Sequence, residues 1–268
     1  MTPPTRTAVS GRPSIDPRIR QRRAAVQRRR GRRRLHWITG VFLALVLAAA
    51  AVALLHTAWF SARVVTVTGV HPNTGEAAIV DAAGLQHHPP LISVDPGATA
   101  QKVEALPFIA TARVQRHWPD GVAISVTERV PVATMAGPGG SWSVLDGGGR
   151  TLAVQGTRPS GLVVLAVRTG ASVTPPAPVG GTLGSGASFG LTVCRTLPPA
   201  FSAQVTSVTQ APDGTLSMTL NSGITVLLGA DDALPAKYED VAAIIAHGSL
   251  HGATSIDVTV PQSPAVTG

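Results

Sequence analysis

Cysteine occurs once, at Cys194, which excludes an internal disulfide framework and a cysteine-based zinc site. Lysine is nearly as scarce. Lys102 and Lys237 stand against 20 arginines, a bias of GC-rich coding rather than of function. Acidic residues are almost missing from the first 36 positions, where 12 arginines face only Asp16. From Trp37 onward the balance reverses to 10 basic and 13 acidic residues. The formal charge of +8 therefore belongs to a short tail and not to a globular surface, which argues against a nucleic-acid-binding domain. Familiar metal and nucleotide patterns are also lacking: there is no His-Glu-x-x-His pair and no P-loop lysine. His87-His88 has no Asp, Glu or Cys within four residues and reads as a solvated loop. Gly147–Gly149 and Gly184-Ser-Gly186 read as turns, Asp231-Asp232 as cap and dipole partner of a helix, and Cys194 as a small buried hydrophobe in a helix. No active site, metal or cofactor is expected.

What is present is a strong N-terminal pattern. Residues 1–36 are rich in Pro, Thr, Ser and Arg, with little to bury, and are predicted to be a disordered basic tail. Ile38–Leu55 then runs for 18 residues without a charge, and as a helix spans roughly 27 Å, close to a bilayer's hydrocarbon core. Trp37 and Trp59 flank it at the depth where amphipathic rings prefer the interface. Residues 37–58 are therefore predicted to be a transmembrane helix. Ala51-Val52-Ala53 matches a signal-cleavage pattern, but cleavage there would cut inside the apolar run, so an uncleaved anchor is expected. The arginines hold the N-terminus in the cytoplasm, which places everything beyond Trp59 outside.

Beyond the span the periodicity changes. Val64–Thr68 is a β-branched run closed by Gly69, and residues 77–83 form a short helix stopped by Gly84. A second helix is predicted over Ala98–Leu106, before Pro107. Ile109–Gln115 and Val122–Thr127 alternate as strands about a turn at Trp118-Pro119-Asp120-Gly121. The order is β-α-α-β-β. Residues 130–262 read as mainly β, with strands at Trp142–Leu145, Leu162–Val167, Gln204–Thr209, Thr215–Leu220, Ile224–Leu228 and Ile256–Val260, and one helix at Pro235–His247. The predicted fold class is α+β. Its parts are the tail (1–36), the span (37–58), a β-α-α-β-β domain (59–129), a β domain with a helix near its C-terminal end (130–262) and a C-terminal tail (263–268).

The string Arg116-His-Trp-Pro-Asp-Gly-Val-Ala-Ile-Ser-Val-Thr-Glu-Arg-Val-Pro-Val-Ala133 resembles the signature of the FtsQ/DivIB family of bacterial division proteins. Arg116, Trp118, Pro119, Glu128, Arg129 and Pro131 occupy its fixed positions. Val144–Gly149, Asn221–Gly229, Lys237 and Ser255–Pro261 are similar to later family segments, whereas the Pro/Gly-rich residues 174–186 match nothing. Taken from the residues alone, Trp118 is expected to pack on its own small domain, and Glu128-Arg129 to form a hinge stiffened by Pro131.

The resemblance implies a POTRA domain and a membrane-anchored scaffold of the divisome. It implies binding of FtsB/DivIC-like and FtsL-like proteins outside the membrane, and assembly of the septal peptidoglycan synthase complex at the division septum. Membrane lipid is the other expected contact, and nucleic acid is not. The alternative is an anchored POTRA protein of export or envelope assembly; an anchored enzyme would need a catalytic set that is not there. Ser255, Ile256, Asp257, Val258, Thr259 and Val260 form the last β-like run before Pro261 and Pro264, and are expected to be an exposed edge strand that receives the partner. Alternation places Ile256, Val258 and Val260 toward the core and Ser255, Asp257 and Thr259 on the other face.

Overall fold

The apolar run contains no proline and is dominated by alanine and leucine, the strongest helix formers in it, and one helix, α1 (Pro17–Leu55), carries it. The computed structural model describes residues 17–69, 73–247, 250 and 252–268; the first 16 residues of the expected tail lie outside the described residues. Helical backbone continues through the arginine blocks back to Pro17, where the sequence predicts disorder as far as His36. Arginine, alanine and glutamine are good helix formers, and an adjoining apolar helix supplies the nucleus they lack. Among the described residues, His36–Leu55 is the one helix long and apolar enough to cross a membrane, by length and composition. None of it is buried in protein, which suits an all-round apolar helix in lipid. This segment and the 3-10 turn Ala58–Phe60 form one compact unit, and Ser61–Gly268 forms the other.

The second unit opens with the predicted β-α-α-β-β order: β1 (Val64–Thr68), α2 (Glu76–Ala82), α3 (Pro96–Glu104), β2 (Ile109–His117) and β3 (Gly121–Glu128). The start of α3 is set by Asp95, whose side chain accepts the N–H groups of Gly97 and Ala98, with Pro96 in the first turn. β3 is central, parallel to β1 and antiparallel to β2. β1 can end where it does because Gly69 takes φ +82°; a Cβ there would lie 2.1 Å from the carbonyl oxygen of Val126. Ile79, Leu85, Leu91, Val103, Ile109 and Ile124 form this domain's own buried core.

A ten-stranded sheet follows. Its strands are β4 (Pro131–Ala136), β5 (Trp142–Asp146), β6 (Thr151–Gln155), β7 (Val163–Thr169), β8 (Ser172–Val173), β9 (Val205–Gln210), β10 (Leu216–Leu220), β11 (Thr225–Gly229), β12 (Ser255–Asp257) and β13 (Ala265–Thr267). The spatial order is β13-β12-β11-β10-β9-β7-β4-β5-β6, with β8 pairing the end of β7. The turns between β9 and β10 and between β10 and β11 are Ala211–Gly214 and Asn221–Gly223, whose Pro-Asp-Gly and Asn-Ser-Gly strings are turn chemistry in the sequence itself, each closed by a backbone hydrogen bond.

The strand β7 is parallel to β9, and β11 is parallel to β12. Each pair is bridged by a helix: α4 (Ser188–Thr196), followed by the short α5 (Pro199–Ser202), joins the first, and α6 (Leu234–Ala246) joins the second. Both crossovers step the same way along the sheet, so right-handed connections put both helices on one face. Their shared packing bears this out. Leu191, Val193, Leu234, Tyr238 and Val241 belong to the same core as Leu165, Val208, Met218, Val226 and Ile256. Gly184-Ser-Gly186 is not an isolated turn but leads through a 3-10 turn, Ser185–Ala187, straight into α4. The sheet also runs past the predicted boundary at 262, because β13 pairs antiparallel with β12.

Candidate partner-docking edge and module junction

The predicted docking strand is shorter than its alternation implies, and it is not an edge. Only Ser255–Asp257 has strand geometry, with β11 on one side and β13 on the other. The expectation of a terminal strand without a successor is corrected accordingly: proline cannot continue a ladder, but Pro261 and Pro264 lie in the loop that returns the chain to form β13. Ile256 and Val258 are fully buried as expected, and the N–H of Val258 donates to the carbonyl of Leu227 at 3.0 Å. Val260 is 55% exposed and does not join the core. The reason is local. Asp257 Oδ1 accepts both the backbone N–H of Thr259 (2.9 Å) and its hydroxyl (2.7 Å), and this turn breaks the alternation after Val258. The backbone N–H of Thr259, then its hydroxyl, hold the Asp257 carboxyl below the usual carboxylate range.

The signature residues lie elsewhere. Arg116 is exposed on β2, Trp118 and Pro119 form the β2–β3 turn, Glu128 ends β3, and Pro131 begins β4. Trp118 is 52% exposed and lies outside the core of its domain. Arg129 is more than a hinge. Its N–H donates to the carbonyl of Phe108 (2.7 Å), its Nε to that of Ile109 (3.0 Å), and its Nη1 to Asp146 Oδ2 (2.8 Å). Asp146 is buried, and its Oδ1 accepts the N–H groups of Gly148 (2.9 Å) and Arg150 (2.8 Å), shaping the Asp-Gly-Gly-Gly turn. Arg150 reaches back to the carbonyl of Ala105 at 3.2 Å. Two of the resembling segments thus meet across the junction of the two sheets. Both were visible as motifs, but nothing in their spacing pairs them.

The junction and the candidate edge are separate places. β12 lies five strand spacings from β4, about 24 Å across the sheet. The sequence left out β4, β6, β8 and β13, of which β8 and β13 are only two and three residues long.

The remaining candidates resolve as structural. His88 Nδ1 lies 2.8 Å from the carbonyl of Ala62, and among the described residues no three His, Cys, Asp or Glu side chains could hold a metal together. Asp232 does not cap α6. It accepts from Lys237 Nζ at 2.8 Å, which also donates to the carbonyl of Ala230 at 2.9 Å, so the buried ammonium keeps two oxygens. Cys194 is buried, and burial pushes its thiol up to about 12, which leaves it without thiolate character at neutral pH.

Comparison with known proteins follows the same division. Residues 60–129 match the family model for the FtsQ-type POTRA domain, and residues 133–258 match that for the FtsQ/DivIB C-terminal region. The molecule is a POTRA-containing protein with one candidate transmembrane helix among its described residues. It is 32% identical to the cell division protein FtsQ of Mycolicibacterium smegmatis over 262 residues, covering 97% of this chain and 71% of that one. With the FtsQ of Streptomyces collinus it shares 30% over 253 residues, 89% of this chain and 90% of the relative. The chain belongs to the FtsQ/DivIB family of cell division proteins.

Proposed function

We propose that this chain is a single-pass scaffold of the divisome, with its N-terminus in the cytoplasm and residues 60–268 outside, concentrated at the division septum. There it binds FtsB/DivIC-like and FtsL-like proteins and helps assemble the septal peptidoglycan synthase complex. The observation that carries this is the order of parts: an arginine-rich segment, one apolar helix, then the FtsQ-type POTRA and FtsQ/DivIB domains. The charge bias across the helix supports the orientation, since arginine is retained on the cytoplasmic side. For the partner contact we take the β11–β12 end of the large sheet, residues 255–260, where a partner strand in the place of β13 would continue the ladder.

Imaging of a fluorescent fusion checks the division role: a septal band is expected, and a uniform peripheral signal would sink it. Protease added to intact spheroplasts should digest residues beyond 60 and spare the arginine segment. A protected C-terminal region reverses the orientation.

A further inference from the structure

The two ends of the large sheet are closed in different ways. At the β6 end, Thr151 exchanges backbone hydrogen bonds with Gly180 and Gly181, in a segment that continues into the body of the domain. At the other end the cover is β13 alone. All three of its side chains are exposed, and none belongs to the core. Beneath it, Ile256 is fully buried, and Thr254 donates its backbone N–H to the carbonyl of Thr267 at 2.8 Å.

The strand below does not depend on its cover. β12 is tied to β11 through the register pairs Thr225–Ser255, Val226–Ile256 and Leu227–Asp257, and through the Val258 N–H. The connection from β12 to β13 is likewise self-contained: Asp257 folds Thr259 back onto itself, and Ser263 donates to the carbonyl of Val260 at 3.0 Å. Lifting β13 away would bare one row of peptide groups on β12 and one flank of Ile256, while leaving the strand in place.

We infer that β13 is a built-in placeholder strand, occupying the side of β12 that a partner strand takes, and that binding proceeds by exchange of one strand for the other. This inference rests on the proposed docking at the β11–β12 end of the sheet. β13 itself defines what fits: an extended segment antiparallel to β12, with a β-branched aliphatic residue opposite Ile256, as Val266 is, and a small residue opposite Asp257, as Ala265 is. Main-chain pairing provides attachment, and these two positions provide register. The placeholder also shields an edge that would otherwise template unwanted pairing.

The register supplies the test. Ser255 and Thr267 are cross-strand partners, neither is in the core, and the one native cysteine is buried, so Ser255→Cys with Thr267→Cys gives a reversible lock. The full-length chain in detergent is titrated with the purified extracytoplasmic segment of the FtsB/DivIC-like protein of the same organism. The oxidised variant should bind at least about tenfold more weakly than the same variant after reduction, since the competent state is withdrawn. Deletion of residues 264–268 should tighten binding about threefold or more, since no displacement is required. Hydrogen exchange with the segment bound should show residues 265–267 losing protection while 254–257 keep it. If the oxidised chain binds as tightly as the reduced one, and residues 254–258 still respond to the segment, exchange is wrong and docking at this end stands. If neither the lock nor the exchange pattern at 254–267 responds to a segment that binds, the docking site is elsewhere and both fall.

Discussion

Arg129 and Asp146 show how single side chains join two sheets. Asp146 is buried and uses both carboxylate oxygens, one for the turn that follows and one for Arg129. Arg129 in turn holds the carbonyl of Ile109 at the start of β2. Arg129→Ala should destabilise the chain by about 2 kcal/mol, because it removes a charged hydrogen bond from a buried acceptor. Arg129→Lys should recover less than half, since lysine has no Nε–H part-way along the chain to reach the carbonyl of Ile109 while its end meets Asp146. Urea unfolding of the three proteins side by side checks both. Cys194 makes the opposite point, a reactive residue type made inert by its surroundings. With its thiol pushed up to about 12 by burial, it should resist maleimide at pH 7.5 in the folded chain and react once the chain is denatured. Labelling at the same rate in both states contradicts the buried position.

At the scale of elements, the two crossover helices are linked to each other as well as to the sheet. Tyr238 on α6 meets Thr196 at the end of α4 through an O–O distance of 3.0 Å, and its ring lies 6.0 Å from that of Phe201. Burial raises the Tyr238 hydroxyl above its ordinary pKa. Tyr238→Phe should keep the ring contact and cost about 1 kcal/mol for the lost hydrogen bond. A cost near zero would mean that the hydroxyl pair contributes nothing to holding α4 against α6. The turn between β5 and β6 carries a steric condition set by α4. Gly149 has φ +79°, and a Cβ there would come within 2.8 Å of the Leu191 side chain.

At the scale of the whole molecule, three aspartates give its acid sensitivity a sign. Asp257 is held low by the backbone N–H of Thr259, Asp213 by that of Thr215, and Asp232 by the hydrogen bond from Lys237. A carboxyl whose folded pKa lies below its unfolded value adds stability above the unfolded value, and loses it as pH falls through the folded one. Thermal unfolding should therefore be flat with pH above about 4, the ordinary carboxylate value, and the midpoint should fall below it. Asp232→Asn with Asp257→Asn should flatten that decline. A midpoint that falls just as steeply in the double variant would assign the acid sensitivity to other groups.

Much of this molecule was determined by sequence alone, wherever the deciding interaction spans a few residues. The charge-free run from Ile38 to Leu55, the Ala211–Gly214 and Asn221–Gly223 turns and the alternation of β2, β3, β10 and β11 are all local, so they were legible. The signature from Arg116 to Ala133 was legible for the same reason, as an unbroken string running through β2, the turn, β3 and into β4. Tertiary structure decided the rest. It joined Arg129 to Asp146 across two sheets, placed α4 and α6 on one face through two like-handed crossovers, and aimed Lys237 inward at Ala230 and Asp232. It also set Ala265–Thr267 on β12 where an open edge was expected. A three-residue strand with exposed side chains leaves no hydrophobic period to read. What makes it a strand is a row of peptide groups on β12, and that row exists only once α6 has carried the chain back beside β11.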